Sequence, residues 1–204
     1  MQNKDTQTLF VRAAWLSALL LWSTAAFAHV GHGTMGSGGF LDGMLHPVTG
    51  LDHLVAMVAV GLWGAQLGVP AIWLLPVTFP LVMAIGAFLG VIGVPLPGVE
   101  IGVAVSGVVL GIMVAFSLRP PLWAAAVLVA AFAVFHGHTH GTALPLSGVP
   151  LAYGAGFVIA TGLLHVCGIV IGLLNHWTLG ARVVRAGGAV VAVTGLVFLG
   201  SHLA

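Results

Sequence analysis

Long apolar stretches fill most of the chain, and short breaks rich in proline, glycine or arginine separate them. Residues 68–70 (Gly-Val-Pro) and 95–98 (Pro-Leu-Pro-Gly) are two such breaks, since proline and glycine end regular structure. Each apolar stretch between the breaks is treated as one membrane span. The predicted spans are residues 51–69, 71–93, 98–118, 122–135, 151–174 and 183–203.

The composition places these stretches in lipid. Charged residues make up 4% of the 204 residues, apolar residues make up 60%, and the mean hydropathy is +1.18, whereas soluble domains carry about 25% charged residues. Lipid offers no hydrogen bonds to the backbone, so an open chain crosses it as helices. The sequence therefore predicts an all-α integral membrane protein, a compact bundle of six transmembrane helices.

Small residues four positions apart favour close contacts between the predicted helices. Four glycine pairs have this spacing: Gly64 and Gly68, Gly86 and Gly90, Gly107 and Gly111, and Gly168 and Gly172. We expect these positions to face neighbouring helices. A homo-oligomer is left open by the sequence.

The N-terminus has the pattern of an export signal. Lys4 and Arg12 precede an apolar run that ends at residues 26–28 (Ala-Phe-Ala), a small-residue cleavage site. We predict a cleaved signal peptide at residues 1–28, a Gly/His-rich outer segment at 29–45 and the six-helix domain at 46–204. Residues 29–43 of the outer segment have too little apolar surface to become ordered. An uncleaved first transmembrane helix is the alternative.

Arginine positions give the orientation of the predicted bundle. Without the signal peptide, Arg119, Arg182 and Arg185 balance three acidic residues, so no basic patch remains for nucleic acid. All three arginines fall in or beside breaks that an exported N-terminus would make cytoplasmic, as the positive-inside rule requires. We expect a multi-pass protein of the bacterial inner membrane with both mature termini in the periplasm.

Polar residues collect at the predicted outer ends of the spans. Ionisable residues at membrane depth are costly and indicate a site or pathway. Imidazole together with carboxylate suits divalent Ni, Co, Zn or Fe better than Ca or Mg. The candidate metal ligands are His46, Asp52, His53, Glu100, His136, His138 and His140, with His165 deeper in the membrane. Buried histidines that serve only in hydrogen bonds are the alternative.

Helical spacing predicts which of these candidates share a helical face. His46 and His53 are seven residues apart and would share one helical face, with Asp52 about 100° away. His136 and His140 share a face at i, i+4, a spacing that offers two imidazoles to one ion. His138 points elsewhere unless the helix has ended. A rise of about 1.5 Å per residue places His53 and His136 at similar depth, which would let them meet.

Several blocks of residues resemble a known family. The run from His46 to Gly64, HPVTGLDHLVAMVAVGLWG, is similar to the signature of the HupE/UreJ family of nickel/cobalt permeases, which accompany hydrogenase and urease systems. Residues 97–100 (PGVE), with Ser106, and 135–141 (FHGHTHG) resemble later blocks of that family, as do residues 162–165 (GLLH) with Gly168. The resemblance covers nearly the whole mature chain.

The resemblance implies a membrane permease that moves Ni²⁺ or Co²⁺ inward for metalloenzyme maturation. It implies that His46, Asp52 and His53 lie in the metal path and that His136 and His140 are the matching positions of the second motif. The chain departs from the family in one place: that motif usually continues to a glutamate, and residues 142–144 (Thr-Ala-Leu) offer none. Metal choice or affinity would differ accordingly.

Two other classes of protein remain open from the residues. Ser106-Gly107 with a membrane histidine would suit an intramembrane serine protease, and histidine pairs would suit a b-type haem protein. The chain has no phosphate-binding loop of the Gly-x-x-x-x-Gly-Lys-Ser/Thr type. The chain itself is therefore expected not to use ATP. On the permease interpretation we expect no enzyme activity and no cofactor beyond the transported ion, with that ion and the lipid bilayer as partners.

Overall fold

The computed structural model describes residues 39–144 and 149–204. Within these two ranges every regular element is helical, which confirms the all-α prediction for this part of the chain. The elements are α1 (Phe40–Thr49), α2 (Leu51–Leu67), α3 (Ala71–Val91), α4 (Val99–Ala115), α5 (Leu122–Thr142), α6 (Pro150–Gly172), a 3-10 turn (Leu173–His176) and α7 (Thr178–Leu203). The predicted signal peptide and residues 29–38 of the outer segment lie outside the described residues.

Four of the described helices are long and apolar enough to cross a membrane: α3, α5, α7, and α6 with the 3-10 turn that continues it. Taken together, α1 and α2 would be a fifth crossing, bent by 84° where they join. Helix α4 has 17 residues, or about 25 Å at 1.5 Å per residue, against a hydrocarbon core of about 30 Å. The chain is a multi-pass membrane protein, and the count of six spans stays a prediction.

Two predicted boundaries near the candidate histidines differ from the structure, and the last span begins at Thr178 rather than at residue 183. The fourth span was expected to end at residue 135, but α5 continues to Thr142, so its histidines are all helical. Order was not expected before Gly43, but α1 begins at Phe40. Packing explains this second difference, because Gly43 lies directly against the backbone of Tyr153 and Gly156 lies against that of Phe40.

The predicted first span corresponds to α2, and α1 joins it at a bend of 84°, whereas a shared face for His46 and His53 required one helix through both residues. Pro47 lies in the last turn of α1. Gly50 is extended, with φ −83° and ψ 102°, and its N–H donates to the carbonyl of His46 at 3.3 Å. His46 and His53 therefore stand on two helices on either side of the bend, and the expectation that they share one helical face was wrong.

Glycines form the contact surfaces between neighbouring helices. This was predicted for four pairs of glycines and is confirmed for three of them. On the α3–α5 contact, Gly86 meets the backbone of Val134, and Gly90 meets that of His138. The glycines at 107 and 111 bring α4 against α7, and those at 168 and 172 bring α6 against α2. Gly68 differs: it ends α2 with φ +79° and open space around it, so its role is the left-handed backbone.

Chain direction gives the bundle two chemically different ends. Helices α2, α4 and α6 begin, and α3, α5 and α7 end, at the end that carries the candidate histidines. At the opposite end, Arg119 is exposed between α4 and α5. Nε of Arg185 donates to the carbonyl of Ala115 at 2.8 Å, and Nε1 of Trp63 donates to that of Leu118 at 2.9 Å. These bonds satisfy free carbonyls at and just beyond the C-terminus of α4.

Candidate metal site

His53 lies in the first turn of α2, and the preceding residue fixes its ring. Oδ1 of Asp52 accepts the backbone N–H of His53 at 2.9 Å and lies 2.8 Å from its Nδ1. A carboxylate is favourable here because the first N–H groups of a helix lack partners. It accepts the hydrogen of Nδ1, so the neutral ring keeps its lone pair on Nε2. Nε2 is buried and has no hydrogen-bond partner among the described residues.

His136 is fully buried in α5 and contacts α4 through one hydroxyl. Its Nε2 lies 2.8 Å from Oγ of Ser106, which also donates to the carbonyl of Val103 at 2.6 Å. The Nδ1 atom of His136 is buried and, in the described part of the chain, unpartnered. Its ring meets the edge of His53, with 4.7 Å between ring centroids. The predicted proximity of His53 and His136 is confirmed.

His140 lies one turn beyond His136 and connects the two halves of the bent pair. The centroid of its ring is 4.5 Å from that of His53 and 4.8 Å from that of His46. Phe157 of α6 covers the ring at 4.2 Å. Both ring nitrogens of His140 are buried without a hydrogen-bond partner among residues 39–144 and 149–204. His46 thus reaches the site from α1, although it is on a different helix from His53.

We call His46, His53, His136 and His140 the histidine cluster. Two imidazoles on one ion, at metal–nitrogen distances of about 2.0–2.1 Å, have ring centroids about 4.5–5.2 Å apart. The three centroid separations in the cluster, 4.5, 4.7 and 4.8 Å, fall in this interval. The rings meet edge to face, and no described group of three ligating residues converges on a single point.

Asp52, His138 and Glu100 were predicted as ligands and have other contacts in the structure. Asp52 orients His53, as a carboxylate behind a metal-binding histidine does. Nε2 of His138 lies 2.8 Å from the carbonyl of Val94 and links α5 to the loop before α4. Glu100 is exposed and pairs with Nδ1 of His202 at 3.3 Å. Among the described contacts, Asp52 reaches the cluster through His53, and none joins His138 or Glu100 to the four rings. Their role as ligands stays a prediction.

His165 lies deeper, on α6, and is 1% exposed. Phe79 of α3 stands between it and the cluster, with ring centroids 5.4 Å from both His165 and His136. Phe79 could not be singled out from the sequence, because an aromatic residue in an apolar span usually belongs to the core. Ala143, in the segment where the resembling motif has glutamate, caps the end of α5 and brings no carboxylate.

Comparison with known proteins agrees with the motifs. The sequence model of the family described as HupE / UreJ protein matches residues 17–198. A curated relative, Protein HupE of Rhizobium leguminosarum bv. viciae, is 45% identical over 184 residues, which cover 90% of this chain and 94% of that protein. No solved structure matches the chain significantly. From the match over most of its length, the chain belongs to the HupE/UreJ family.

Proposed function

We propose that the protein is a permease for a divalent transition metal ion, Ni²⁺ or Co²⁺, and not an enzyme. The observation that carries the proposal is the histidine cluster, in which four imidazoles from three helices meet inside a membrane bundle. Nε2 of His53, Nδ1 of His136 and both ring nitrogens of His140 are buried without a hydrogen-bond partner among the described residues, which is costly in lipid. A cation that accepts their lone pairs would offset that cost, and the donor set suits Ni²⁺ or Co²⁺ better than Ca²⁺ or Mg²⁺.

We assign successive roles along the path. Glu100 is exposed at the cluster end of the bundle and would attract the cation there. The histidine cluster, with Asp52 behind His53, would hold the ion. His165, separated from the cluster by Phe79, would be the next station toward the arginine end. His138 would act by fixing the loop at Val94 rather than by binding the ion.

An intramembrane serine protease is the second candidate, because Oγ of Ser106 lies 2.8 Å from Nε2 of His136. Two details oppose it. The hydroxyl of Ser106 donates to the carbonyl of Val103, so its hydrogen is not aimed at the histidine. Ser106 is also 0% exposed, which leaves a peptide no approach to the oxygen. Labelling of the native protein by a fluorophosphonate, lost in Ser106→Ala, would favour the protease instead.

Haem ligation is less compatible with the cluster. The two axial histidines of a haem stand on opposite faces of the macrocycle, which must fit between them. The rings of His53 and His136 are in edge contact at 4.7 Å. A visible absorption spectrum of the purified protein, with no Soret band expected, checks this conclusion.

Metal uptake is the direct test of the proposed function. Cells that express the protein should accumulate labelled nickel faster than cells without it, and unlabelled cobalt should compete. His140→Ala should lose most of this uptake because the ring of His140 contacts both His46 and His53. His176→Ala is the matched control, since His176 is exposed at the opposite end. Equal uptake with and without the native protein would refute the permease.

We further propose that the cluster end faces the periplasm of a bacterial inner membrane. The three arginines of the mature chain lie at the opposite end, where the positive-inside rule places cytoplasm. A reporter fused after Ala204 should be active when it requires export and inactive when it requires the cytoplasm, and the mature protein should begin at His29. Intact Met1 would contradict the cleaved signal peptide, and a reporter active only in the cytoplasm would contradict the orientation.

A further inference from the structure

The hydrogen bonds of Ser106 determine which nitrogen of His136 carries the hydrogen. A serine hydroxyl has one hydrogen to donate, and the carbonyl of Val103, 2.6 Å away, can only accept it. The contact of 2.8 Å between Oγ and Nε2 of His136 therefore requires Nε2 to donate. A neutral imidazole has one N–H, so its lone pair is on Nδ1. This is the buried atom that has no partner among the described residues.

The two central histidines of the cluster are thereby held in opposite tautomers. Asp52 accepts the hydrogen of Nδ1 in His53 and leaves Nε2 with the lone pair. Ser106 accepts the hydrogen of Nε2 in His136 and leaves Nδ1 with the lone pair. Each ring has one nitrogen bonded to a partner behind it and one buried nitrogen without a partner in the described ranges. Partners of this kind fix the tautomer and orientation of metal-binding histidines.

We propose that Ser106 is a positioning residue for metal binding: by accepting the Nε2 hydrogen of His136, it makes Nδ1 the nitrogen that binds the ion. His53 binds through Nε2, so the cluster uses both kinds of imidazole nitrogen. This assignment rests on the proposed permease function. The sequence alone cannot supply it, because Ser106 in an apolar helix is equally suited to a plain helix contact.

Other hydroxyls on the bundle supply a matched control. Oγ of Ser201 donates to the carbonyl of Phe198 at 2.7 Å, the same three-residue back-bond that Ser106 makes to Val103. Ser201 is exposed on α7, and its described hydrogen bond involves no histidine ring. Ser201→Ala therefore removes an equivalent helix hydrogen bond without touching the cluster.

Two measurements on the purified full chain test the role of Ser106. Nitrogen-15 NMR of metal-free protein with labelled histidine, assigned by signals lost in His136→Asn, reads the tautomer of His136. We expect a bonded hydrogen on Nε2 in the native protein and in Ser201→Ala, and a mixture of tautomers in Ser106→Ala. Titration with Ni²⁺ or Co²⁺ should give a Kd about 10- to 100-fold weaker for Ser106→Ala. Ser106→Thr, which retains the hydroxyl, should recover the native tautomer.

The outcomes separate the proposed role of Ser106 from the proposed permease function. A native His136 with its hydrogen on Nδ1, or a Ser106→Ala protein with native tautomer and native Kd, overturns the role of Ser106. Native protein that binds neither metal while His136 keeps its hydrogen on Nε2 overturns the permease and the ligand role of Nδ1, but supports control of the ring by Ser106. A weaker Kd with an unchanged tautomer would also contradict the proposal, because it would indicate altered packing only.

Discussion

Replacing His53 and His136 together with alanine should reduce nickel uptake little more than replacing either one alone. Loss of a residue that only orients a ligand lowers metal affinity about 10- to 100-fold. We therefore expect the loss of a ligand itself to lower metal affinity about 100-fold or more. The rings are 4.7 Å apart and belong to one cluster. Once one ligand is missing, the shared ion is already weakly held, and the second removal has little left to change.

Initial rates of nickel uptake for the native protein, the two single variants and the double variant form the required cycle. Expression of each variant in the membrane must be matched, and His176→Ala provides the same substitution at an exposed histidine. Independent sites would give a double loss equal to the product of the two single losses. That result would contradict the shared site and would reduce the cluster to neighbouring, separately acting histidines.

The members of this cluster could be identified from the sequence because their chemistry is rare in an apolar chain. An ionisable residue at membrane depth is costly and therefore marks a site or a pathway, and His46, His53, His136 and His140 were among the eight candidates found in this way. Depth along a helix follows from a constant rise per residue, so the meeting of His53 and His136 was predictable. Metal binding itself stays a prediction, since no ligand geometry is formed in the described residues.

Contacts that depend on tertiary packing could not be predicted from the sequence. Because of the bend at Gly50, His46 lies on a different helix from His53. The ring of His46 contacts that of His140 because α1 packs against α6. His138 and Glu100 have the right chemistry for ligands but have described contacts elsewhere, His138 with the carbonyl of Val94 and the exposed Glu100 with His202. Residue type indicates what a side chain can bind, whereas its neighbours determine what it does bind.

The length of α5 also depends on tertiary packing and could not be predicted from the sequence. The apolar run ends at residue 135, and Gly137 and Gly141 have low helix propensity, so the sequence left open whether the helix continues through the histidines. In the structure, Gly137 and Gly141 lie directly against the backbones of Met83 and Ala87 on α3. Close packing extends the helix by about two turns at 3.6 residues per turn. The same glycines flank His140, so the site depends on the α3–α5 contact.

Adding one methyl group at Gly137 should therefore disrupt both the fold and the site. A Cβ atom there would overlap the carbonyl of Met83 and the backbone of Ala87, and neither is a flexible side-chain end that can move aside. Overpacking of this kind costs about 1–3 kcal/mol and occasionally more. Separation of α5 from α3 would also shift His136, so Gly137→Ala should lose nickel uptake even where folded protein remains.

Gly162→Ala is the matched control, because Gly162 is also helical but has no atom near its absent Cβ. There alanine should be neutral or should stabilise the helix by up to about 1 kcal/mol. Thermal unfolding of both variants in detergent, with nickel uptake in cells, compares the two sites directly. If Gly137→Ala unfolded at the native temperature and transported nickel normally, the tight α3–α5 contact could not be what holds His136 and His140 in place.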